Sequence, residues 1–570
     1  MIEKSMPRFF KNEKASIIWL TLAFFILLIP EIFYASVISA PILDKIGLIV
    51  FSQCLQLLIF GLFRNHKIFF YLHLPFVLLG PFVLLHSFLF KRWVNAGILF
   101  VLFETSINEA REFLSGHEFA IGTYTIITTF LYFFIIRKIS TVGINKFLKA
   151  AQVTALLLLA LFFFIDSFNI QRYKSRFVQA YPNVVIYNAS VVYSEFQRIN
   201  RLKTNELLFS HNSRKKDTIL TKEIYVLVIG ESSRYKNWGL NGYDKNTTPL
   251  LSQQKNLINF KDTSTSATLT RTAIPILLTR ATASTFNIAY KEKSVISAFK
   301  EAGFKTFWIS NQGMFAKHNT LITLCASESD SSVYINKFAY DKHYDEDMLP
   351  IFNSIVEDEK NNKIFVVLHP LGSHWQYGER YPSEFEIFTP SIKEKTVRLA
   401  KQNLNEITNS FDNSICYTDY YLNAILETLA DIDAISAVIY ISDHGEDLFD
   451  DSRKLALHGN GTPTVYVAQV PMFVWTSALY NEVYPEKQQN LIRNKSQKIS
   501  TDNIFYSILD LANITYSHEN LAKSFASETF RPDKRRLLTT NNEVIDYDSL
   551  KAEAMISKSY VLQGNERSKF

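Results

Sequence analysis

The sequence predicts two structural classes in series. An α-helical membrane domain of five spans covers residues 1–166, and an α/β domain with a mainly parallel sheet covers 217–570. Three observations carry this. Apolar residues make up 48% of the 570-residue chain and include 47 Phe; in the first third they form runs of about 20, the length that crosses a bilayer. From Glu223 onward, short runs rich in Val, Ile and Phe alternate with helical segments, as in strands buried on both faces by helices. Between the two, 167–216 is polar with scattered aromatics and reads as a linker with an amphipathic helix lying on the bilayer surface. The aromatic content excludes disordered and fibrous classes. Three cysteines exclude a disulfide framework and leave Cys325 and Cys416 as the one pair outside an apolar run. Lys plus Arg number 60 against 54 Asp plus Glu, a net +6 too small to suggest nucleic-acid binding.

The five spans are 15–36, 46–63, 68–90, 119–136 and 150–165. The first is long, lacks a clear small-residue cleavage site and is soon followed by another span, so it reads as a retained anchor and not a signal peptide. Residues 93–103 are apolar but too short to cross, and acidic residues follow them, so an interfacial helix is expected there. Orientation follows from positive charge. Lys4, Arg8, Lys11 and Lys14 precede the first span, Arg64 and Lys67 lie between the second and third, and Arg137, Lys138, Lys146 and Lys149 lie between the fourth and fifth. With five spans, all three groups share the cytoplasmic side. Everything after the fifth span is then outside the cytoplasm, which in a two-membrane bacterium is the periplasmic side of the inner membrane.

In the second domain, strands are expected at 224–230, 305–310, 363–369, 437–442 and 470–475. Helices are expected at 294–302, 394–429 (with a break) and 502–512. Open α/β sheets bind ligands beyond the carboxyl ends of their strands, and three of these runs end in polar clusters. The first ends in Gly230-Glu231-Ser232, the third in His369 followed by Gly372-Ser373-His374, and the fourth in Ser442-Asp443-His444-Gly445-Glu446-Asp447. Glu, Asp and His without Cys form an N/O donor set suited to zinc or manganese. Asp443 alone could be a helix cap, and Glu231 alone a surface residue; their common edge favours a metal. His374 and His458 are weaker candidates, since loop histidines are often only solvated. The Ser/Thr-rich stretch 263–281 supplies hydroxyl nucleophiles: a hydroxyl at a helix N-terminus beside a metal can be held as an alkoxide. On residue chemistry alone Thr268, Thr270 and Thr272 are equivalent, and each could equally be a cap.

Taken together, GESSRYKNWGLNGYDKNTTPLL (230–251), LTRTAIP (269–275), HPLGSH (369–374), FDNSICYTDYYL (411–422), SDHGED (442–447) and LHGNGTP (457–463) resemble the membrane-bound phosphoethanolamine transferases of the alkaline-phosphatase/sulfatase superfamily. They span most of the second domain in the family's order, and ETSINEAREFL (104–114) and the five spans are similar as well. The resemblance implies an alkaline-phosphatase-like periplasmic domain with Glu231, Thr270, Asp443 and His444 as zinc ligands and Thr270 as nucleophile. It places His374 and His458 at the phosphate group or a second zinc, and Thr105 and Glu109 at the lipid-substrate entrance. Four residues before that Thr the family has Asn; here it is Val101.

The implied reaction moves phosphoethanolamine from phosphatidylethanolamine, through a threonine-bound intermediate, to lipid A or the lipopolysaccharide core. One zinc ion or two is implied, with manganese the lesser alternative. The nearest rival is a phosphoglycerol transferase of the lipoteichoic-acid synthase type, with transfer to another envelope glycan a further alternative. A sulfatase activity would need Cys or Ser in C/S-x-P-x-R, which is not found near Thr270. A non-catalytic membrane sensor would not need the complete Glu, Thr, Asp and His set.

Overall fold

The computed structural model describes residues 8–552 except 39, 105–109, 112–113, 115, 140–144, 167–169, 205–208, 314–319, 337–342, 394, 396 and 460. Contacts divide the chain into two compact units, 1–100 with 116–193, and 101–115 with 194–570.

Five helices in the first unit are long and apolar enough to cross a membrane: α1 (Arg8–Val37, apolar from Ala15), α2 (Ile42–Gly61), α3 (His66–Phe90), and, after the short α4 (Ala96–Glu104), α5 (Glu118–Lys138) and α6 (Asn145–Ile165). The nine residues of α4 rise about 14 Å, half of the roughly 30 Å hydrocarbon layer, which is the short helix expected from 93–103. Association of such helices rests on close packing more than on burial from water. Aromatic rings supply it here. Phe24 meets Phe60 edge-on at 5.4 Å and Phe70 at 5.5 Å, and Phe69 meets Phe70 at 5.1 Å. The outer faces stay apolar, with Phe119, Ile126 and Phe130 all highly exposed, as side chains facing lipid require. The stretch read as a linker holds two helices, α7 (Ile170–Gln179) and α8 (Asn183–Thr204). On α7, Ile170 and Phe177 are exposed.

The second unit is built on a seven-stranded sheet. Its strands are β1 (Glu223–Gly230), β2 (Leu257–Asn259), β3 (Lys305–Ser310), β4 (Ser331–Tyr334), β5 (Lys363–His369), β6 (Ile435–Ser442) and β7 (Met472–Thr476). Their spatial order is β2-β7-β6-β1-β5-β3-β4. The central strands β1, β5 and β6 are buried almost throughout, which is why they read as unbroken apolar runs and not as alternating ones. The sheet is mainly parallel, as expected, but β7 runs antiparallel to both β6 and β2. The reason is topological. The chain leaves β6 at its carboxyl edge, spends 443–471 there, and re-enters the sheet from that same edge, so β7 can only run back.

Register sets the site. Gly230 pairs with Ser442 across β1 and β6, and Ser310 with His369 across β3 and β5. Glu231 and Asp443 therefore leave neighbouring strands at the same level. The helix expected at 394–429 is α10 in our numbering, Leu404–Ala430, continuous for 27 residues, with α9 (Thr270–Leu278) preceding it in the chain. All three cysteines are buried and free, Cys325 and Cys416 included.

Candidate metal centre and nucleophile

Two strand ends and one helix start converge on one point. Glu231 follows β1. Ser232 then takes a left-handed φ of +56°, which folds its side chain back so that its Oγ donates to Glu231 Oε1 at 2.7 Å and its amide donates to Asp443 Oδ1 at 3.1 Å. Asp443 follows β6, held level by its amide bonding Gly230 O at 2.9 Å. The next residue, His444, has its Nδ1 3.0 Å from Gly445 O. A carbonyl only accepts, so Nδ1 carries the proton and Nε2 turns its lone pair inward. Gly445 is required at its position: a Cβ there would sit 2.2 Å from Tyr466 O.

The helix start brings the hydroxyl. Of the three threonines left open by sequence, Thr270 is the first residue of α9, with Oγ1 3.1 Å from His444 Nε2 and 3.3 Å from Glu231 Oε2. The Thr272 hydroxyl instead donates to Leu269 O at 3.0 Å.

One donor atom each from Glu231, Asp443 and His444 lies within 4.8 Å of the others, all three residues buried. Burial, then the charge of Asp443, raises the Glu231 carboxyl well above the usual range. Burial lowers His444, against the pull of Asp443. Asp443 Oδ2 is buried with no hydrogen-bond partner, 3.3 Å from His444 Nε2. Two buried acids, a deprotonated imidazole nitrogen and an orphaned carboxylate oxygen make a costly cluster on their own. A divalent cation satisfies all of it, and the N/O donors suit zinc.

The other expected residues divide into three groups. The His458 ring lies against that of His444 with centres 4.0 Å apart and planes tilted by 42°, and its Nδ1 lies 3.0 Å from Glu446 Oε1. Burial, and then the charge of His374, push His458 down to about 4, while burial raises Glu446 to about 7. His374, whose Nδ1 is 2.7 Å from Trp375 O, is thus electrostatically coupled to that pair. His369, in contrast, is buried within the sheet edge, with Trp308 edge-on at 5.6 Å, and does not join the cluster. Thr105 and Glu109 lie outside the described residues.

Three features were not legible in the sequence. Ser232 and Gln312 both donate to the Glu231 carboxylate, the latter at 3.4 Å. The stretch 536–540 lines the site's flank: Leu538 bonds Ser266 and Thr268 through its backbone, and Thr540 Oγ1 reaches Gly459 O at 3.4 Å. The loop 237–251 is pinned to α10. Asp412 takes hydrogen bonds from Asn237, Tyr243 and Lys245, and Asp419 from the amides of Leu250 and Leu251.

Residues 223–514, just over half the chain, match the Sulfatase family. Phosphoethanolamine transferase EptC of Escherichia coli (strain K12) is 26% identical over 484 residues, covering 80% of this chain and 82% of that protein. The crystal structure of the C-terminal periplasmic domain of Escherichia coli EptC in complex with Zn superposes with a TM-score of 0.54 at 27% identity, covering 60% of this chain and 97% of that one. The integral membrane protein lipooligosaccharide phosphoethanolamine transferase A (EptA) of Neisseria meningitidis shares the fold over 90% of this chain and 98% of its own, with a TM-score of 0.71 at 20% identity. With its sheet, its strand-end cluster and this match in agreement, the chain belongs to the Sulfatase family of the alkaline phosphatase superfamily, among relatives named phosphoethanolamine transferases.

Proposed function

We propose that this chain is a zinc-dependent phosphoethanolamine transferase of the inner membrane with its catalytic domain, 217–570, on the periplasmic side. Phosphatidylethanolamine is the donor, and lipid A or the lipopolysaccharide core is the acceptor. The observation that carries the reading is the seat of Thr270: its hydroxyl opens a helix while lying within 3.3 Å of both a buried carboxylate and a buried imidazole nitrogen. The relatives' names and the zinc complex of one relative's domain support the donor group and the metal.

Glu231, Asp443, His444 and Thr270 would hold the zinc, which supplies positive charge to lower the pKa of a bound hydroxyl and to offset charge on a phosphoryl oxygen. Thr270 Oγ attacks phosphorus as its proton passes to solvent or a neighbouring base. The bond from phosphorus to the diacylglycerol oxygen breaks, and that oxygen leaves protonated as diacylglycerol. The helix dipole of α9 stabilises the negative charge gathered at Thr270. His374 and His458 face the phosphoryl group; burial keeps His458 neutral near pH 7, so it donates or accepts a single hydrogen bond. In the second half, an acceptor hydroxyl or phosphate oxygen displaces Thr270 and takes the group. Thr105 and Glu109 are assigned to the donor's entrance.

Intact-mass measurement after incubation with phosphatidylethanolamine tests this. Wild type should gain a phosphoethanolamine adduct that Thr270→Ala lacks; a normal adduct on the variant would reject the assignment. Mass spectrometry of lipopolysaccharide from cells with and without the protein identifies the acceptor, and unchanged lipopolysaccharide would reject that half of the reading.

A further inference from the structure

Beyond the cluster itself lies a buried acid that no sequence motif above includes. Asp345 opens the short 3-10 turn Asp345–Met348, is 3% exposed, and meets only donors among its hydrogen-bond partners. Its Oδ1 accepts from Leu371 N at 2.7 Å and Asn311 Nδ2 at 2.9 Å, and its Oδ2 from Gly372 N at 3.0 Å. Successive backbone amides converging on one anion form a nest. Gly372, at φ +53°, makes it possible, and the anion here is the protein's own side chain.

The same loop presses directly on the metal cluster. Ser373 N donates to Glu231 O at 3.0 Å, and a Cβ on Gly372 would come within 2.9 Å of that oxygen. One residue further on is His374. Asn311, the third donor, follows β3, and its neighbour Gln312 reaches both Pro370 O at 3.0 Å and the Glu231 carboxylate. Asp345 therefore ties the end of β3 to the loop after β5 at the point where that loop touches Glu231.

We infer that Asp345 is a positioning residue for the metal centre, fixing the Leu371–Ser373 backbone against Glu231 and so setting where the Glu231 carboxylate stands. The inference rests on the metal reading proposed above. Asn in place of Asp345 keeps the shape but turns an amide N–H₂ toward a donor, so the nest opens and Glu231 loses its backstop.

The test is zinc binding by the full-length protein in detergent, measured by competition with a chelator of known affinity. Asp419→Asn is the matched control, because Asp419 is equally buried and also holds two successive amides, Leu250 N and Leu251 N at 2.9 Å each, but on a loop away from Glu231. Asp345→Asn should weaken zinc binding about tenfold or more, while Asp419→Asn stays within about twofold of wild type. Wild-type affinity in Asp345→Asn, or an equal loss in both variants, overturns the inference. A wild type that holds no zinc brings down the metal reading and this inference together, an outcome distinct from the other two. Should Asp345→Asn fail to fold, Asn311→Ala withdraws one of the three donors: binding about threefold weaker supports the inference, and unchanged binding overturns it.

Discussion

A threonine hydroxyl is a poor nucleophile by itself, so the chemistry proposed for Thr270 has to come from its neighbours. That makes the neighbours testable separately from the reaction. A cation bound only by the folded state stabilises it by about 4 kcal/mol when free at a thousandfold above its dissociation constant. Chelation should therefore lower the unfolding temperature of wild type by several degrees. His444→Ala should erase most of that difference, since it removes the one nitrogen donor of the cluster. A different residue governs a part of stability that is lost as pH rises. Glu328 accepts from Ser294 N and Oγ at 2.9 and 2.6 Å, and burial raises it to about 7. Its folded pKa lies above that of an unfolded Glu, so the protonated form favours folding. That contribution is whole below about pH 4 and is lost as pH rises through 7. Chemical unfolding of wild type and Glu328→Gln at pH 4.5 and 7.5 should show the gap shifting in favour of the variant by about 2–3 kcal/mol. The residues of the candidate cluster were readable from sequence because Glu231 and Asp443 each directly follow an apolar strand and His444 comes next. Asp345 and Ser232 were not, since what matters in them is which backbone amides they meet, and those belong to distant or irregular segments.

At the scale of elements, the long buried strands were legible and the short ones were not. β1, β5 and β6 carry seven or eight residues each of near-continuous apolar sequence. β2 and the paired strands Arg536–Leu538 and Val544–Asp546 have three each, and such pieces form only because a neighbour offers its edge. The direction of β7 was likewise hidden, because direction depends on where the preceding loop ends. The C-terminal strands matter to the site through 538–540, and Arg535 anchors them. Its guanidinium meets Asp262 at 2.8 Å and Asp548 at 2.5 Å and is 2% exposed. Arg535→Met should cost about 2–3 kcal/mol by leaving those carboxylates under-satisfied, read as a lower unfolding midpoint. Because Leu538 bonds both sides of the threonine loop, the same variant should lower turnover.

For the whole molecule, the proposed chemistry fixes a side of the membrane. Under that proposal, five spans with the positive loops inward would carry residues 217–570 outward. Protease added to cells with a permeabilised outer membrane should remove the second domain, while cysteines introduced near Arg64 or Lys138 stay closed to impermeant maleimides. Protection of the second domain would reverse the orientation and end the proposal. Span number was legible because apolar length is a property of composition. The interior of the bundle was less so: the packing of Phe24 on Phe60 and Phe70 depends on helix rotation, which a nearly uniformly apolar helix does not encode.

The two free, buried cysteines of the second domain, Cys325 and Cys416, bear on how such a domain matures. The soluble fold closes with no covalent tie between its parts, so its native state owes nothing to thiol oxidation. Reductant should leave its unfolding temperature unchanged, and loss of the cell's dithiol oxidants should leave its abundance unchanged as well. On the metal reading proposed above, the ion at Glu231, Asp443 and His444 would take the place of a covalent tie, and scarcity of that ion would be the stress to which the domain is exposed.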